Sequence, residues 1–106
     1  MEQRAPRYPF DAPAEIIVGS PGIKILARVT ELSLHGCYLD TSAPLTGHTT
    51  VLVKIFGPDD YFEAHSTVIY AHSLLGVGVA FRDVNVACQR VLRKWLLGAM
   101  LAKESG

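Results

Sequence analysis

Apolar and polar residues alternate with a period of two through most of the chain between Ala14 and Arg82, which is the pattern of half-buried β-strands. Clusters of glycine, proline, serine and aspartate interrupt the alternation at regular intervals, as turns between strands do. The pattern predicts six strands, at residues 14–18, 23–32, 37–41, 50–56, 61–72 and 75–82. Short strands at such even spacing favour a small closed antiparallel β-barrel over an open sheet, so the expected fold class is all-β.

After the last predicted strand the period of the apolar pattern becomes helical. With Asn85 as the N-cap, we predict an α-helix over residues 85–102, and we expect the face with Trp95 to cover one end of the barrel. The apolar face carries Cys88, Val91, Leu92, Trp95, Leu96 and Ala99, and the polar face carries Gln89, Arg90, Arg93 and Lys94. Three further apolar residues, Leu97, Met100 and Leu101, lie on the polar side. They leave two interpretations, a frayed helix end or a contact with a partner or a second copy of the chain.

We predict that residues 1–13 form a proline-rich arm ahead of the barrel. The prolines favour extended geometry, and Tyr8 and Phe10 are the apolar anchors of the arm. Arg4 and Arg7 are then left to face solvent or a ligand. Guanidinium groups fork onto phosphate oxygens and stack on aromatic bases, so these arginines suit a nucleotide that carries phosphates. A solvated terminal tail is the plainer interpretation of the same residues.

Composition limits what the chain can bind. Its 106 residues suffice for one globular domain, predicted over residues 1–106, and 49% of them are hydrophobic, so the core needs no metal or disulfide. Ten basic and ten acidic residues give a formal charge of zero. This balance argues against general affinity for nucleic acid or for an anionic membrane surface, because both depend on a summed positive field. We therefore expect any anion to be bound by a local cluster of groups.

Cysteine usage and hydropathy bear on the compartment. Cys37 and Cys88 lie far apart and lack Cys-x-x-Cys spacing, which predicts two free, buried thiols rather than a zinc site or a disulfide framework. The first residues contain no apolar signal-peptide core, and no run approaches the ~18 apolar residues of a membrane span. The expected localisation is cytoplasmic, without insertion into a membrane.

Motifs of enzymatic chemistry are absent from the sequence. It contains no Gly-x-Ser-x-Gly elbow, no Gly-x-x-x-x-Gly-Lys phosphate loop and no His-Glu-x-x-His helix. The four histidines are scattered, and His65 and His72 would point to opposite faces of an unbroken strand. Asp59 and Asp60 follow a Gly-Pro pair, where aspartate is typical of a turn. We expect no enzymatic activity, no metal site and no cofactor.

One stretch, residues 28–41, contains a corner where two predicted strands meet, the sequence Glu-Leu-Ser-Leu-His-Gly at residues 31–36 (hereafter the corner). Ser33, His35 and Gly36 supply small and polar groups and one residue that can take positive φ. Taken alone, a Ser-x-x-Gly sequence is typical of a β-turn. His35 is the one histidine for which we consider a functional role, because it lies inside this corner.

Together these features resemble the PilZ domain, a bacterial six-stranded β-barrel family that typically binds the second messenger cyclic di-GMP (c-di-GMP). Residues 3–10, Gln-Arg-Ala-Pro-Arg-Tyr-Pro-Phe, are similar to the family's Arg-x-x-x-Arg segment. The corner is similar to its Asp/Asn-x-Ser-x-x-Gly motif, and residues 76–81, Gly-Val-Gly-Val-Ala-Phe, are similar to its closing strand. The resemblance spans nearly the whole chain and implies a PilZ-like barrel followed by the C-terminal helix.

The resemblance also implies a ligand site. The implied c-di-GMP-binding residues are Arg4, Arg7, Glu31, Ser33, His35 and Gly36, with Gln3 as a further contact position. Arg7 would contact phosphate and a guanine face, Ser33 would contribute its hydroxyl, and Gly36 would let the backbone approach the ligand closely.

Two positions depart from the family pattern. Gln3 stands where the first arginine is expected, and Glu31 stands where aspartate or asparagine is expected. One hypothesis is a c-di-GMP receptor in which Arg4 supplies the missing charge and the signal passes to an unidentified effector protein through altered contacts. The alternative is a PilZ-fold adaptor without nucleotide binding that acts through protein contacts, for instance in pilus or motility machinery. A homodimer through the C-terminal helix is a further expected contact, and the resemblance implies second-messenger signalling in motility and biofilm formation.

Overall fold

The computed structural model describes residues 5–105 of the chain, as six strands and a C-terminal helix. The elements are β1 (Tyr8–Val18), β2 (Ile23–Leu32), β3 (Gly36–Asp40), β4 (Thr50–Phe56), β5 (Tyr61–His72), β6 (Gly76–Asp83) and α1 (Val86–Ser105).

The six strands close into a barrel. Every neighbouring pair is antiparallel, and the strand order is β1-β2-β3-β6-β5-β4, with β4 returning to β1. The predicted all-β fold class, a six-stranded antiparallel barrel with a C-terminal helix, is confirmed. The order sets β3 beside β6 rather than β4, so the corner that precedes β3 lies against the closing strand.

The barrel interior is filled by alternate residues of the strands, as a period of two requires. The largest fully buried side chains are Phe62, Ile16, Leu32, Leu39 and Ile55. Both cysteines are free and buried, as predicted.

Strand β1 begins earlier than the sequence pattern indicated. Tyr8 pairs with Leu32 on β2, so the boundary between arm and barrel lies before Tyr8 rather than at residues 13 and 14. The prolines of this segment had indicated an arm outside the barrel, because proline has no N–H to donate to a strand ladder. The register shifts between Pro9 and Ala12, and β4 pairs only from Ala14 onward, so the missing proline N–H groups are tolerated at an unpaired edge.

Strand β5 is not an unbroken ladder. Its register against β6 shifts between His65 and Ser66 and again between Val68 and Tyr70. His65 and His72 are both exposed on its outer surface, whereas an unbroken strand would have placed them on opposite faces. The irregular register is the physical reason for the difference.

Helix α1 starts at the predicted cap. The backbone N–H of Cys88 donates to Asn85 Oδ1 at 2.8 Å, which satisfies one of the unpaired donors of the first turn. Trp95 is buried with its ring centroid 5.2 Å from that of Phe10 and 6.2 Å from that of Phe62. The helix therefore covers the end of the barrel where β1 and β5 begin.

Candidate ligand-binding site

A surface pocket of about 500 Å³ lies where the segment before β1, the corner, and the outer surfaces of β5 and β6 meet. Five of the residues predicted from the sequence line it: Arg7, Glu31, Ser33, His35 and Gly36. The two remaining predicted positions, Gln3 and Arg4, lie outside the described residues. The pocket is also lined by residues that sequence reasoning missed, chiefly Tyr38, Ile69, Tyr70 and Gly78.

Arg7 and Glu31 face each other across the mouth of the pocket. Arg7 Nη1 lies 3.8 Å from Glu31 Oε1, and the side chains are 40% and 51% exposed. The pairing of β1 with β2 creates this proximity, because Tyr8 lies opposite Leu32 and Pro9 lies opposite Glu31. An exposed ion pair of this length contributes at most about 1 kcal/mol to stability. The guanidinium can therefore exchange its carboxylate partner for a phosphate at little cost.

Ser33 holds the corner in shape. Its hydroxyl donates to the carbonyl oxygen of Gly36 at 3.2 Å, and its backbone N–H donates to the same oxygen at 2.9 Å. The hydroxyl oxygen in turn accepts a hydrogen bond from the backbone N–H of His35 at 3.3 Å. Since the single hydroxyl proton is already donated, Ser33 can offer a ligand an acceptor but not a donor without breaking the turn.

Gly36 is required by the packing of β3 against β6. A Cβ at this position would lie 2.1 Å from the carbonyl oxygen of Val79, far inside any allowed contact. Beside it, the backbone N–H of Phe81 donates to the carbonyl oxygen of His35 at 2.8 Å. The corner is thus fastened to β6 at adjacent residues, and the His35 side chain is exposed at the edge of the pocket.

An aromatic cluster of Tyr38, Tyr70 and His72 flanks the polar residues. The ring centroids are 6.2 Å apart for the two tyrosines, 5.9 Å for Tyr38 and His72, and 5.2 Å for Tyr70 and His72. Tyr38 Oη lies 3.2 Å from His72 Nδ1, within hydrogen-bond distance. Burial, followed by the nearby Asp40 carboxylate, raises the pKa of Tyr38, so this phenol stays neutral at pH 7. The two tyrosines offer aromatic surface in the wall of the pocket.

The glycines of β6 make room for these rings. A Cβ at Gly78 would lie 2.4 Å from the Tyr70 ring, and one at Gly76 would lie 2.8 Å from the Tyr38 ring. Both tyrosines are paired with Gly78 in the ladder, one from β3 and the other from β5. The sequence signal for this arrangement was the Gly-x-Gly spacing itself, which is typical of close approach to a backbone.

The chemistry that these groups can perform is binding rather than bond cleavage. The pocket brings together a guanidinium, a carboxylate, an imidazole and aromatic faces. Burial raises the pKa of the Cys37 thiol, which therefore stays protonated and unreactive at the pocket's inner wall. Within residues 5–105, no three side chains of the metal-ligating types cluster closely enough to hold an ion. Over the same part of the chain, no helix has the length and apolar character of a membrane span.

Comparison with known proteins gives the same architecture. The PilZ domain of CeSA, from a cellulose-synthesising bacterium, aligns with a TM-score of 0.70 at 21% identity, covering 89% of this chain and 97% of that chain. YcgR from Escherichia coli, solved in complex with c-di-GMP, gives a TM-score of 0.77 at 16% identity, covering 97% of this chain and 47% of that chain. The Bacillus subtilis Inhibitor of motility (MotI/DgrA) gives 0.73 at 14% identity, with coverages of 97% and 53%.

The chain thus spans about half the length of the last two proteins, and at these identities the likeness is one of fold. A search of curated protein sequences found no significant match. The sequence model of the PilZ domain matches residues 2–98, nearly the whole chain. The chain therefore belongs to the PilZ domain family.

Proposed function

We propose that the protein is a cytoplasmic receptor for c-di-GMP that signals through altered contacts with an effector protein. The observation that carries the proposal is the convergence of Arg7, the corner and two tyrosines on one pocket of about 500 Å³. That volume is within the range of small-molecule sites. The ligand is dianionic and carries two guanine bases, and the pocket offers a group suited to each part.

Four pocket residues and Arg4 of the arm have specific roles in this proposal. Arg7 leaves Glu31 and forks onto a phosphate, because a charge-assisted bidentate contact is stronger than the 3.8 Å ion pair that it replaces. The Glu31 carboxylate then accepts hydrogen bonds from the N–H groups of a guanine edge. Tyr38 and Tyr70 provide a face for base stacking. Arg4 supplies a second cation as the arm folds over the ligand.

The departures from the family pattern set the expected affinity. An arginine–phosphate hydrogen bond contributes on the order of 1.5–3 kcal/mol, so Gln3 lowers affinity roughly ten- to hundred-fold unless Arg4 compensates. Glu31 keeps the carboxylate but places it one methylene further from the backbone than aspartate would. We therefore expect binding that is weaker than in a domain with both arginines.

Isothermal titration calorimetry with c-di-GMP at micromolar protein concentration tests the proposal. We expect saturable heat with the wild type, its loss in Arg7→Ala, and its retention in Arg90→Ala, which removes an exposed arginine of α1 outside the pocket. Chemical-shift changes confined to Arg4, Arg7, Glu31, Ser33, His35 and Gly36 would locate the site. Absence of saturable heat in the wild type, or equal heat in Arg7→Ala, would contradict receptor function.

A second candidate function is that of a protein–protein adaptor without nucleotide binding. It is favoured by Gln3 and Glu31 in the motif and by Leu97, an apolar side chain of α1 that is 53% exposed. This candidate includes a homodimer formed through α1. Neither candidate involves enzymatic activity, a cofactor, nucleic acid or membrane insertion. Each of these four points is a prediction from the sequence.

A further inference from the structure

A second cavity, of about 330 Å³, lies on the other side of the corner from the ligand pocket. It is a groove between the corner, the end of β6 and the first two turns of α1. Its apolar walls include Leu34, Phe81 and Leu92, and its polar rim includes Arg82, Gln89 and Arg93. Leu34 is 45% exposed at the tip of the corner, so an occupant of the groove would bury a large apolar side chain that water now contacts.

The groove carries positive charge without negative charge in its lining. Arg82 and Arg93 are both exposed, and no carboxylate lines the groove. Across residues 5–105, neither groove arginine is among the cations paired with carboxylates, which are Arg7, Lys24, Arg28 and Lys94. In a chain with a formal charge of zero, two arginines beside the same apolar walls, with no carboxylate in the lining, give the groove a local positive charge.

We infer that the groove is a docking site for an acidic segment of a partner protein that carries a large apolar side chain. Carboxylates of the segment pair with Arg82 and Arg93. Its apolar side chain packs against Leu34 and Phe81, both apolar groove residues that keep accessible surface. Arg82 is partly fixed in advance, because its Nε donates to Thr67 Oγ1 at 3.2 Å. A guanidinium held in place loses less side-chain entropy when it binds a carboxylate.

The position of the groove also links it to the proposed ligand pocket, and this step rests on the proposed function. His35 lines both the groove and the ligand pocket, and its carbonyl oxygen accepts the hydrogen bond from Phe81, another residue of the groove. A ligand that moves the corner therefore moves one wall of the groove. Since coupling between two sites is reciprocal, c-di-GMP and the partner segment must change each other's affinity by the same factor.

Selection from a random dodecapeptide library displayed on phage tests the docking site, with the full chain as target. We expect enrichment of sequences that combine Asp or Glu with Leu, Phe or Trp. The enriched consensus, synthesised with a fluorescein label, should bind the wild type in fluorescence anisotropy. The double variant Arg82→Glu, Arg93→Glu should lose roughly ten-fold or more in affinity. Arg90→Glu, a charge reversal on the helix that carries Arg93 but outside the groove, should bind like the wild type.

The outcomes test the docking site separately from its coupling to c-di-GMP binding. A consensus without acidic residues, or equal affinity for the double variant and the wild type, overturns the docking site. Peptide affinity that changes about five-fold or more with saturating c-di-GMP supports coupling, and an unchanged affinity in protein that binds c-di-GMP overturns it. Charge-dependent peptide binding by protein that does not bind c-di-GMP overturns the receptor proposal and leaves the docking site in place.

Discussion

The ring of Tyr70 occupies the space that any side chain at Gly78 would need, with only 2.4 Å between the ring and the position of a Cβ. At Gly36 the obstacle is instead the backbone oxygen of Val79, 2.1 Å from the corresponding Cβ. A ring at the end of a side chain can swing away, whereas a backbone oxygen in a barrel ladder cannot. The same substitution should therefore lower the free energy of unfolding by different amounts at the two glycines.

We expect Gly36→Ala to lower the free energy of unfolding by about 3 kcal/mol and Gly78→Ala by about 1 kcal/mol, the upper and lower ends of the usual cost of overpacking. Urea denaturation followed by circular dichroism measures both. Gly98→Ala is the control, because a Cβ there meets no atom within 4 Å and alanine favours a helix interior by up to about 1 kcal/mol. A larger loss for Gly78→Ala than for Gly36→Ala would contradict this account of the two sites.

The aromatic wall of the pocket should matter for ligand affinity. Stacking of a base on an aromatic side chain contributes about 1–3 kcal/mol, so Tyr70→Leu should weaken c-di-GMP binding roughly five- to hundred-fold. Calorimetric titration measures the change. Tyr61→Leu removes a tyrosine at the opposite end of β5, outside the pocket, and should leave the affinity unchanged. Unaltered affinity in folded Tyr70→Leu would exclude stacking on this ring.

The barrel was predictable from sequence because alternation and turn residues are local signals. Alternation marks which side chains face inward, and strands 50–56 and 61–72 appear in the structure with the predicted bounds. The start of β1 was not predictable in the same way. Whether Pro9 and Pro13 end a strand or lie on its unpaired edge depends on where β4 stops pairing, which is a property of the closed barrel.

The resemblance to the PilZ motifs implied the polar residues of the site, whereas the position of its aromatic residues depends on strand register. The register shift between Val68 and Tyr70 places Ile69 and Tyr70 together at the pocket, although strict alternation would send one of them into the core. The meeting of Tyr38 and Tyr70 over Gly78 follows from that shift and from the pairing of β6 with both β3 and β5. The Gly-x-Gly spacing indicates a close approach to the backbone, but no local sequence signal specifies the register shift or the pairing that brings these two rings to it.

The exposed pair of Asp11 and Arg28 should make a small part of stability depend on pH. Arg28 Nε and Nη2 both donate to the Asp11 carboxylate, the latter at 3.1 Å, and the hydrogen bond from Arg28 holds the pKa of Asp11 below its ordinary value. A carboxyl whose pKa is lower in the folded state stabilises the fold above its unfolded pKa. That stabilisation is lost as the pH falls through the folded pKa.

We therefore expect Arg28→Met to lower the free energy of unfolding at pH 7, and the difference from the wild type to shrink below about pH 4. Urea denaturation at pH 7 and pH 3 measures both differences. Added salt should reduce the effect at pH 7, because the pair is exposed. Arg90→Met is the matched control. Because Arg90 is not paired with Asp11, its effect on stability should not change between the two pH values. A difference for Arg28→Met that is the same at both pH values would contradict the role of Asp11.

The adaptor candidate includes a homodimer formed through α1, and Leu97 is the residue of that helix to test. Burying a leucine that is 53% exposed stabilises a dimer, whereas an aspartate in the same interface would be buried without a partner. Leu97→Asp should therefore convert a dimer to a monomer in sedimentation velocity. Leu74→Asp makes the same change in the turn beyond the far end of β5 and should leave the dimer intact. A wild-type monomer at all concentrations would exclude the homodimer.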